Sequence, residues 1–387
     1  MARAHWLLAV GALGACAGLP ASPAAPREVL AFPAAEGAGR LALGGRGGAV
    51  IKVTNLNDAG PGSLRAAIDA EGPRTVIFEV AGTIALKTPL KIVHPRITIA
   101  GQTAPGEGIT LRDQALVVEA DDVIVRYLRS RLGDVSHAQS DAISVTSGRR
   151  VILDHLSASW SVDETLSVSA NYETATGPTD VTVQWCLIGE SLNGSVHVKG
   201  AHGYGSLVRG GRGSVFTFHH NLWASHAARM PRPGNYTSRT VDPVGAFFDF
   251  RNNVFYNWGG GSSGYNADTE SLAAYNFVGN AYWRGPDSEK AVAFKESNPF
   301  ARAYFAQNAM NGAVPDDPWS LVIGLTTTPG YRLTAPLPMP ALITEAWDRA
   351  QARVLDGAGA SRARDAVDQR IIAGVRDRTH RIINSQT

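Results

Sequence analysis

Cysteine is nearly absent from this chain of 387 residues, which has Cys16 and Cys186 and no others. A disulfide framework and a cysteine-based metal site are therefore excluded. Charge is also sparse, at 18% of residues, and almost balanced, with a formal net charge of +2. The strongly basic face that general nucleic-acid binding needs is missing, so no nucleic-acid partner is expected. The apolar run from Trp6 to Ala15 is too short to span a bilayer. No segment before Pro299 has the pattern of a crossover helix, which disfavours a βαβ fold.

Glycine is plentiful, at 41 residues, beside a hydrophobic content of 44%. Many glycines with little charge suit short strands and turns around a sizeable core. Arg3 followed by the apolar run and small residues reads as an export signal over residues 1–25. Ala15-Cys16-Ala17 is a small-residue cleavage site that would release a soluble protein. Leu13-Gly14-Ala15-Cys16 also resembles a bacterial lipobox, which would leave Cys16 acylated. The expected address is secreted or periplasmic, with an outer-membrane lipoprotein anchored through Cys16 as the alternative. Cys186 has no partner in the mature chain and reads as a buried small hydrophobe.

A repeat begins after a short capping helix. Gly60-Pro61-Gly62 is a turn, and Ser63 is a good N-cap for a helix reaching about Ala70, placed to plug the end of a stack. Apolar-alternating runs then recur at Val76, Ile97, Val123, Val151, Val181, Phe216, Phe248 and Tyr275, with starts roughly 21 to 35 residues apart. Such spacing is that of a solenoid. Each run is short and rich in β-branched or aromatic residues, as strands are. The fifth residue after three late starts is Asn221, Asn253 and Asn280, in register for a stacked hydrogen-bond ladder. After about Pro299 the pattern changes. Thr344 is placed to cap a helix from Glu345 to Asp356 that ends at Gly357, and a second helical stretch covers about Arg364 to Val375. The expected organisation is a signal over 1–25, a catalytic solenoid over 26–300 and an extension over 301–387 packed along it.

The segment from Phe216 to Pro233 runs from a strand into a basic loop, with Arg229 and Arg232 flanking Pro231. Proline stiffens that loop, and a rigid basic loop suits an anionic ligand. Five of the ten histidines lie between His197 and His226. Upstream, Asp141 precedes Ile143-Ser144-Val145, and Asp163-Glu164 precede Leu166-Ser167-Val168. Both stretches read as second strands of their coils. Carboxylates on neighbouring coils would lie about 5 Å apart, close enough to share a hard cation.

Several phrases carry a family resemblance. They are Gly44-Gly45-Arg46-Gly47-Gly48, Val53 to Arg65, Thr98 to Gly106, Asp154-His155, Trp160 to Thr165, His202 to Leu207, His219-His220-Asn221, and Arg229-x-Pro231-Arg232. Gly357 to Ala360 and Arg364 to Asp368 add to them in the tail. Together they resemble the bacterial pectate lyases of polysaccharide lyase family 1, over most of the mature chain. The resemblance implies an all-β, right-handed parallel β-helix acting on acidic polysaccharide, α-1,4-linked galacturonan, with Ca²⁺ as cofactor. It implies Arg229 as catalytic base, and Asp141 and Asp163 as Ca²⁺ ligands. Substrate contacts fall on Arg232 and on Lys199, the nearest match to a family lysine. The chain is expected to act as a monomer. Two departures stand out: Gln139 and Ser167 occupy positions where family members carry acids, and Glu164 could compensate.

Other readings remain open at this level. A β-helix glycoside hydrolase would need two carboxylates, for which Asp141, Asp154 and Asp163 are available. A pectin lyase would act on methylated polymer without Ca²⁺, and a surface protein would only bind glycan. Gly260-Gly261-Ser262-Ser263-Gly264 superficially matches a serine-hydrolase motif but lacks the helix that motif requires.

Overall fold

The computed structural model describes Met1, residues 28–169 and residues 177–387. Apart from Met1, the expected export signal lies outside the described residues, and Cys16 with it. The chain winds into a right-handed parallel β-helix with three sheets around one core. The first sheet has ten strands, from Ala49–Val53 to Ala301–Ala306. The second has nine, from Gly82–Ala85 to Ala309–Met310. The third has six, from Leu90–Ile92 to Arg232–Asn235, and is continued by Gly264–Asn266, Phe294–Glu296 and Val322–Gly324.

All eight predicted runs fall in the first sheet, and each pairs in parallel with the next. From Ile97 onward the run starts lie opposite one another: Ile97 faces Val123, then Val151, Val181, Phe216, Phe248 and Tyr275. Inward side chains thus meet their own kind one coil away. The core begins aliphatic, with Val76, Ile97 and Val123, and becomes aromatic further along. Phe250 stacks on Phe277 with ring centroids 4.9 Å apart, and Phe277 on Phe305 at 4.6 Å.

The corner between the first and second sheets is built the same way in coil after coil. A residue in the left-handed region turns the chain: Tyr127, His155, Trp185 and His220, all at φ 54°. The next residue points inward, and from Asn221 onward it is asparagine. Asn221 Nδ2 donates to Asn253 Oδ1 at 3.1 Å, Asn253 to Asn280 at 3.1 Å, and Asn280 to Asn308 at 2.9 Å. The ladder is one rung longer than the three expected asparagines. Cys186, buried and free, occupies the same position one coil earlier, and its N–H donates to Asn221 Oδ1 at 2.8 Å.

The first coil is covered by a helix. Helix α1, Leu64–Asp69, is capped by the Ser63 side chain and buries Leu64, Ala67 and Ile68 against the first coil. The strands Ala301–Ala306, Ala309–Met310 and Val322–Gly324 pair with the preceding coil, so the stack runs past residue 300. Helices α2, Trp347–Gly357, and α3, Ala366–Arg376, pack on the outer face of the second sheet. Helix α2 starts later than the sequence suggested. Thr344 accepts a hydrogen bond from Arg251, and Glu345 is drawn to His220 and Arg353, so neither caps the helix. Asp365 caps α3 by accepting the Asp368 N–H at 2.8 Å.

Asn253→Ala would orphan the buried Asn221 N–H and the Phe218 carbonyl, which Asn253 now satisfies. Orphaned buried groups cost about 1–3 kcal/mol each. Urea unfolding should show a loss of about 3 kcal/mol, and an unchanged midpoint would remove the ladder from the account of stability.

Candidate functional site

The third sheet has short strands, and long connections from the second sheet lead into them. Those connections carry the acidic candidates. The strands Ile143–Val145 and Leu166–Ser169 are the third strands of their coils, not the second as expected, because each coil already has two strands before them. Ile143 pairs with Leu166. Two residues earlier, this register sets Asp141 against Glu164, with Asp163 at the adjoining turn. One carboxylate oxygen from each of Asp141, Asp163 and Glu164 lies within 4.8 Å of the others.

Three acids this close repel one another. Burial, reinforced by the Asp163 charge, pushes the Asp141 carboxyl up to about 7, while the Ser167 hydroxyl and Arg229 pull the other way. Asp163 Oδ1 is buried, with His202 Nε2 3.1 Å away. The donor set is all oxygen, and its atoms lie within the span that two Ca²⁺–oxygen bonds of about 2.3–2.6 Å can bridge. These residues therefore fit a hard cation. The departures also have positions: Gln139 accepts the Val198 N–H at 3.0 Å, and Ser167 Oγ accepts the Leu207 N–H at 3.2 Å.

Asp163 also meets two histidines. His202 Nε2 lies 3.1 Å from Asp163 Oδ1, and His197 Nε2 lies 3.9 Å from Oδ2. The two rings stack at 4.0 Å. His197 Nδ1 accepts the Lys199 N–H at 3.1 Å, which places the neutral ring's proton on Nε2, facing Asp163. A metal-bound histidine donates from its other nitrogen, and His197 has the reverse arrangement. The pair is thus built to donate toward Asp163. The remaining histidines of the sequence cluster go elsewhere. His219 and His220 sit at the first corner, and His226 is buried against Ser191 and the Ile188 carbonyl.

Arg229 follows the strand Leu222–His226 and has φ 62°. Its guanidinium lies 4.1 Å over the Tyr204 ring, its Nε is 3.3 Å from the Tyr265 hydroxyl, and its Nη1 pairs with Glu164 Oε1. Isolated bridges align Glu164, Tyr204 and Ala228 across three coils, which is how Arg229 comes to reach back to the acids. Arg232 stands further along the sheet, 5.6 Å from the Tyr265 ring and 3.5 Å from Asp268 Oδ1. Lys199 is exposed on the loop that carries His197 and His202.

The structure therefore brings Asp141, Asp163, Glu164 and Arg229 into one cleft. Arg232 and Lys199 belong to its surroundings. Beside Arg229, a groove of about 460 Å³ continues along the sheet, lined by Ala228, Gly260, Tyr265, Lys290, Lys295 and Ile323 among others. Tyr265 was missed from sequence because it arrives from the next coil. Asp154 is removed from the cleft: it is buried at the first corner between Arg126, His155 and Gln184. The Gly260–Gly264 stretch leads into a third-sheet strand, and Ser263 Oγ donates to the Met230 carbonyl.

Fold and cleft define a parallel β-helix protein with an acidic cluster and an arginine on its third sheet. No family model matches the chain. A probable pectate lyase C of Aspergillus terreus is 37% identical over 357 residues, which cover 90% of this chain and 77% of that protein. One from Aspergillus fumigatus is 36% identical over 365 residues, covering 92% and 79%. The chain belongs to the pectate lyase family. Among solved structures, the cedar pollen allergen jun a 1 has a TM-score of 0.60 at 20% identity, over 84% of this chain and 92% of the allergen. A pectate lyase bound to a hexasaccharide also gives 0.60, at 13% identity, over 87% and 99%. These two share the fold.

The upward shift of Asp141 has a consequence for stability without a cation. A carboxyl with a raised folded pKa makes the folded state bind the extra proton between pH 3.8 and about 7. Stability therefore falls as pH rises through that window. In chelator at pH 8, Asp141→Asn should raise the thermal midpoint by roughly 2–4 °C, and at pH 4 it should leave it unchanged. A lower midpoint at pH 8 would show that the ionised Asp141 is not under strain.

Proposed function

We propose that this chain is a secreted pectate lyase that cleaves α-1,4-linked galacturonan by Ca²⁺-assisted β-elimination, leaving 4,5-unsaturated ends. The observation that carries the reading is the convergence of Asp141, Asp163 and Glu164 with Arg229 in one cleft. Membership of the pectate lyase family supports it. Residues 1–25 act as the export signal, and the solenoid carries the catalytic cleft.

The chemistry accounts for these residue types. Galacturonate has an acidic C5 proton beside its carboxylate, and elimination removes that proton and expels the C4 oxygen. Negative charge grows on the carboxylate as the proton leaves, so cations around it lower the barrier. Ca²⁺ held by Asp141 and Asp163 supplies such charge when bound and ties the substrate carboxylate to the enzyme. Arg232 and Lys199 add positive charge along the cleft and favour an anionic chain. Arg229 takes the C5 proton. Arginine acts as a base only in surroundings that favour its neutral form.

An unmethylated substrate follows from the same charges. A free carboxylate is a good Ca²⁺ ligand and an ester a poor one. Without a cation, the acids of the cleft would repel a polyanion. Among the described residues, the groove beside Arg229 is lined by no tryptophan that would give methyl esters an apolar bed, and it includes Lys290 and Lys295.

Incubation with polygalacturonate and Ca²⁺ should release product absorbing in the ultraviolet, from the double bond conjugated to the carboxylate. EDTA should abolish it, and highly esterified pectin should react more slowly. Faster cleavage of the ester without Ca²⁺ would mean a pectin lyase, and cleavage without the chromophore would mean a hydrolase. Asp141→Asn and Asp163→Asn should each raise the Ca²⁺ required for half-maximal rate. Arg229→Lys should lose at least about 100-fold in turnover, the scale of a lost general base, because lysine does not reproduce the planar guanidinium. Turnover near that of the parent would remove Arg229 from the role of base.

A further inference from the structure

Glu164 has two competing partners. It is buried, with a carboxylate oxygen in the same cluster as those of Asp141 and Asp163. The same side chain pairs with Arg229 Nη1. Tyr204 stands under the guanidinium at 4.1 Å and the Tyr265 hydroxyl lies 3.3 Å from Nε, so Arg229 has other contacts to rest on if Glu164 leaves. The cluster fits a hard cation, and Ser167 stands where another acid would have strengthened it.

We infer that Glu164 is a partner-exchanging residue, pairing with Arg229 when the cleft holds no cation and serving as a third carboxylate ligand when Ca²⁺ is bound. This rests on the reading of Asp141 and Asp163 as Ca²⁺ ligands. An ion pair with a carboxylate stabilises a charged guanidinium. While Glu164 pairs with it, Arg229 Nη1 is engaged and is not free to meet a substrate. Exchange removes that carboxylate from the base and adds its charge to the metal site. Glu164 thus ties release of the Arg229 guanidinium to occupation of the cation site. Coupling of this kind is reciprocal: Arg229 competes with Ca²⁺ for Glu164, so removing Arg229 must strengthen Ca²⁺ binding.

Calorimetric titration of the whole chain with CaCl₂, without substrate, tests the exchange. The set is the parent, Glu164→Gln, Arg229→Ala and the double variant, with Asp141→Asn as control. Arg229→Asn replaces the alanine variant if the latter folds poorly, since asparagine tolerates the left-handed backbone at this position. Glu164→Gln should weaken binding and Arg229→Ala should tighten it, each by at least about fivefold. In the Glu164→Gln background, the gain from removing Arg229 should shrink by at least about fivefold. An undiminished gain there would mean that Arg229 acts only as a distant charge and would overturn the exchange. Equal affinity of the parent and Arg229→Ala would overturn it too. A parent that binds no Ca²⁺, or binding unaffected by Asp141→Asn, would instead sink the Ca²⁺ reading beneath it.

Discussion

Parallel in-register stacking is the constraint on which the rest of this molecule depends. Each strand has its hydrogen-bonding partners one coil away, so a position on one coil must carry a residue compatible with the same position on the next. The aliphatic column from Ile97 through Val123 to Val151 meets this with branched side chains, and the column from Phe216 through Phe248 to Tyr275 meets it with rings. A ladder position can also be polar if every member is satisfied. Asn221, Asn253 and Asn280 achieve this by donating to the next asparagine's amide oxygen and to a backbone carbonyl, and Asn308 ends the ladder by donating to the Phe277 carbonyl. A buried amide left without such partners would cost about 1–3 kcal/mol.

The same constraint decides where chemistry is placed. Strand positions are committed to stacking, whereas the connections into the third sheet vary in length and carry Asp141, Asp163, Glu164, His197 and His202. The sheet beneath fixes their spacing. Acids gathered on adjacent coils are held close by backbone pairing whatever their charges prefer. The cleft answers that repulsion with the Arg229 guanidinium and with histidine donors directed at Asp163. Charge balance in the cleft thus comes from neighbouring coils, not from neighbouring residues in the chain.

The tail uses buried charge in another way. Asp368 accepts from Arg131 at 2.7 Å and from Ser157 at 2.6 Å, and Glu190 pairs with His380 at 2.7 Å and Arg370 at 2.8 Å. Trp160 Nε1 also donates to Glu190 at 2.9 Å. Breaking one partner of such a pair leaves an uncompensated buried charge. These contacts fix the register of α3 on the second sheet, where the apolar contacts of Ile371, Ile372 and Val375 alone would tolerate sliding. They bind the tail to coils that also bear the cleft, since Trp160 lies three residues before Asp163.

Periodicity alone was enough to place the eight first-sheet runs, because stacking repeats a short apolar pattern that no other fold needs. The capping of α1 by Ser63 and three rungs of the ladder were legible for the same reason, being local or in register. Asn308 escaped notice because the residue opposite Tyr275 on its strand is Ala303, without the bulk that marked the others. Asp141, Asp163 and Arg229 were reached through motif resemblance, and Asp163 by position before an apolar run. The pairing of Arg229 with Glu164 and its contacts with Tyr204 and Tyr265 were not legible. They depend on which residues lie opposite across coils, and connections of unequal length hide that register from the chain. Thr344 failed as a cap because Glu345 is drawn to His220 and Arg353, partners far away in sequence. Local pattern determined the strands and their stacking. Only the tertiary structure decided which charged groups touch, because contacts between coils join residues that the sequence keeps tens of positions apart.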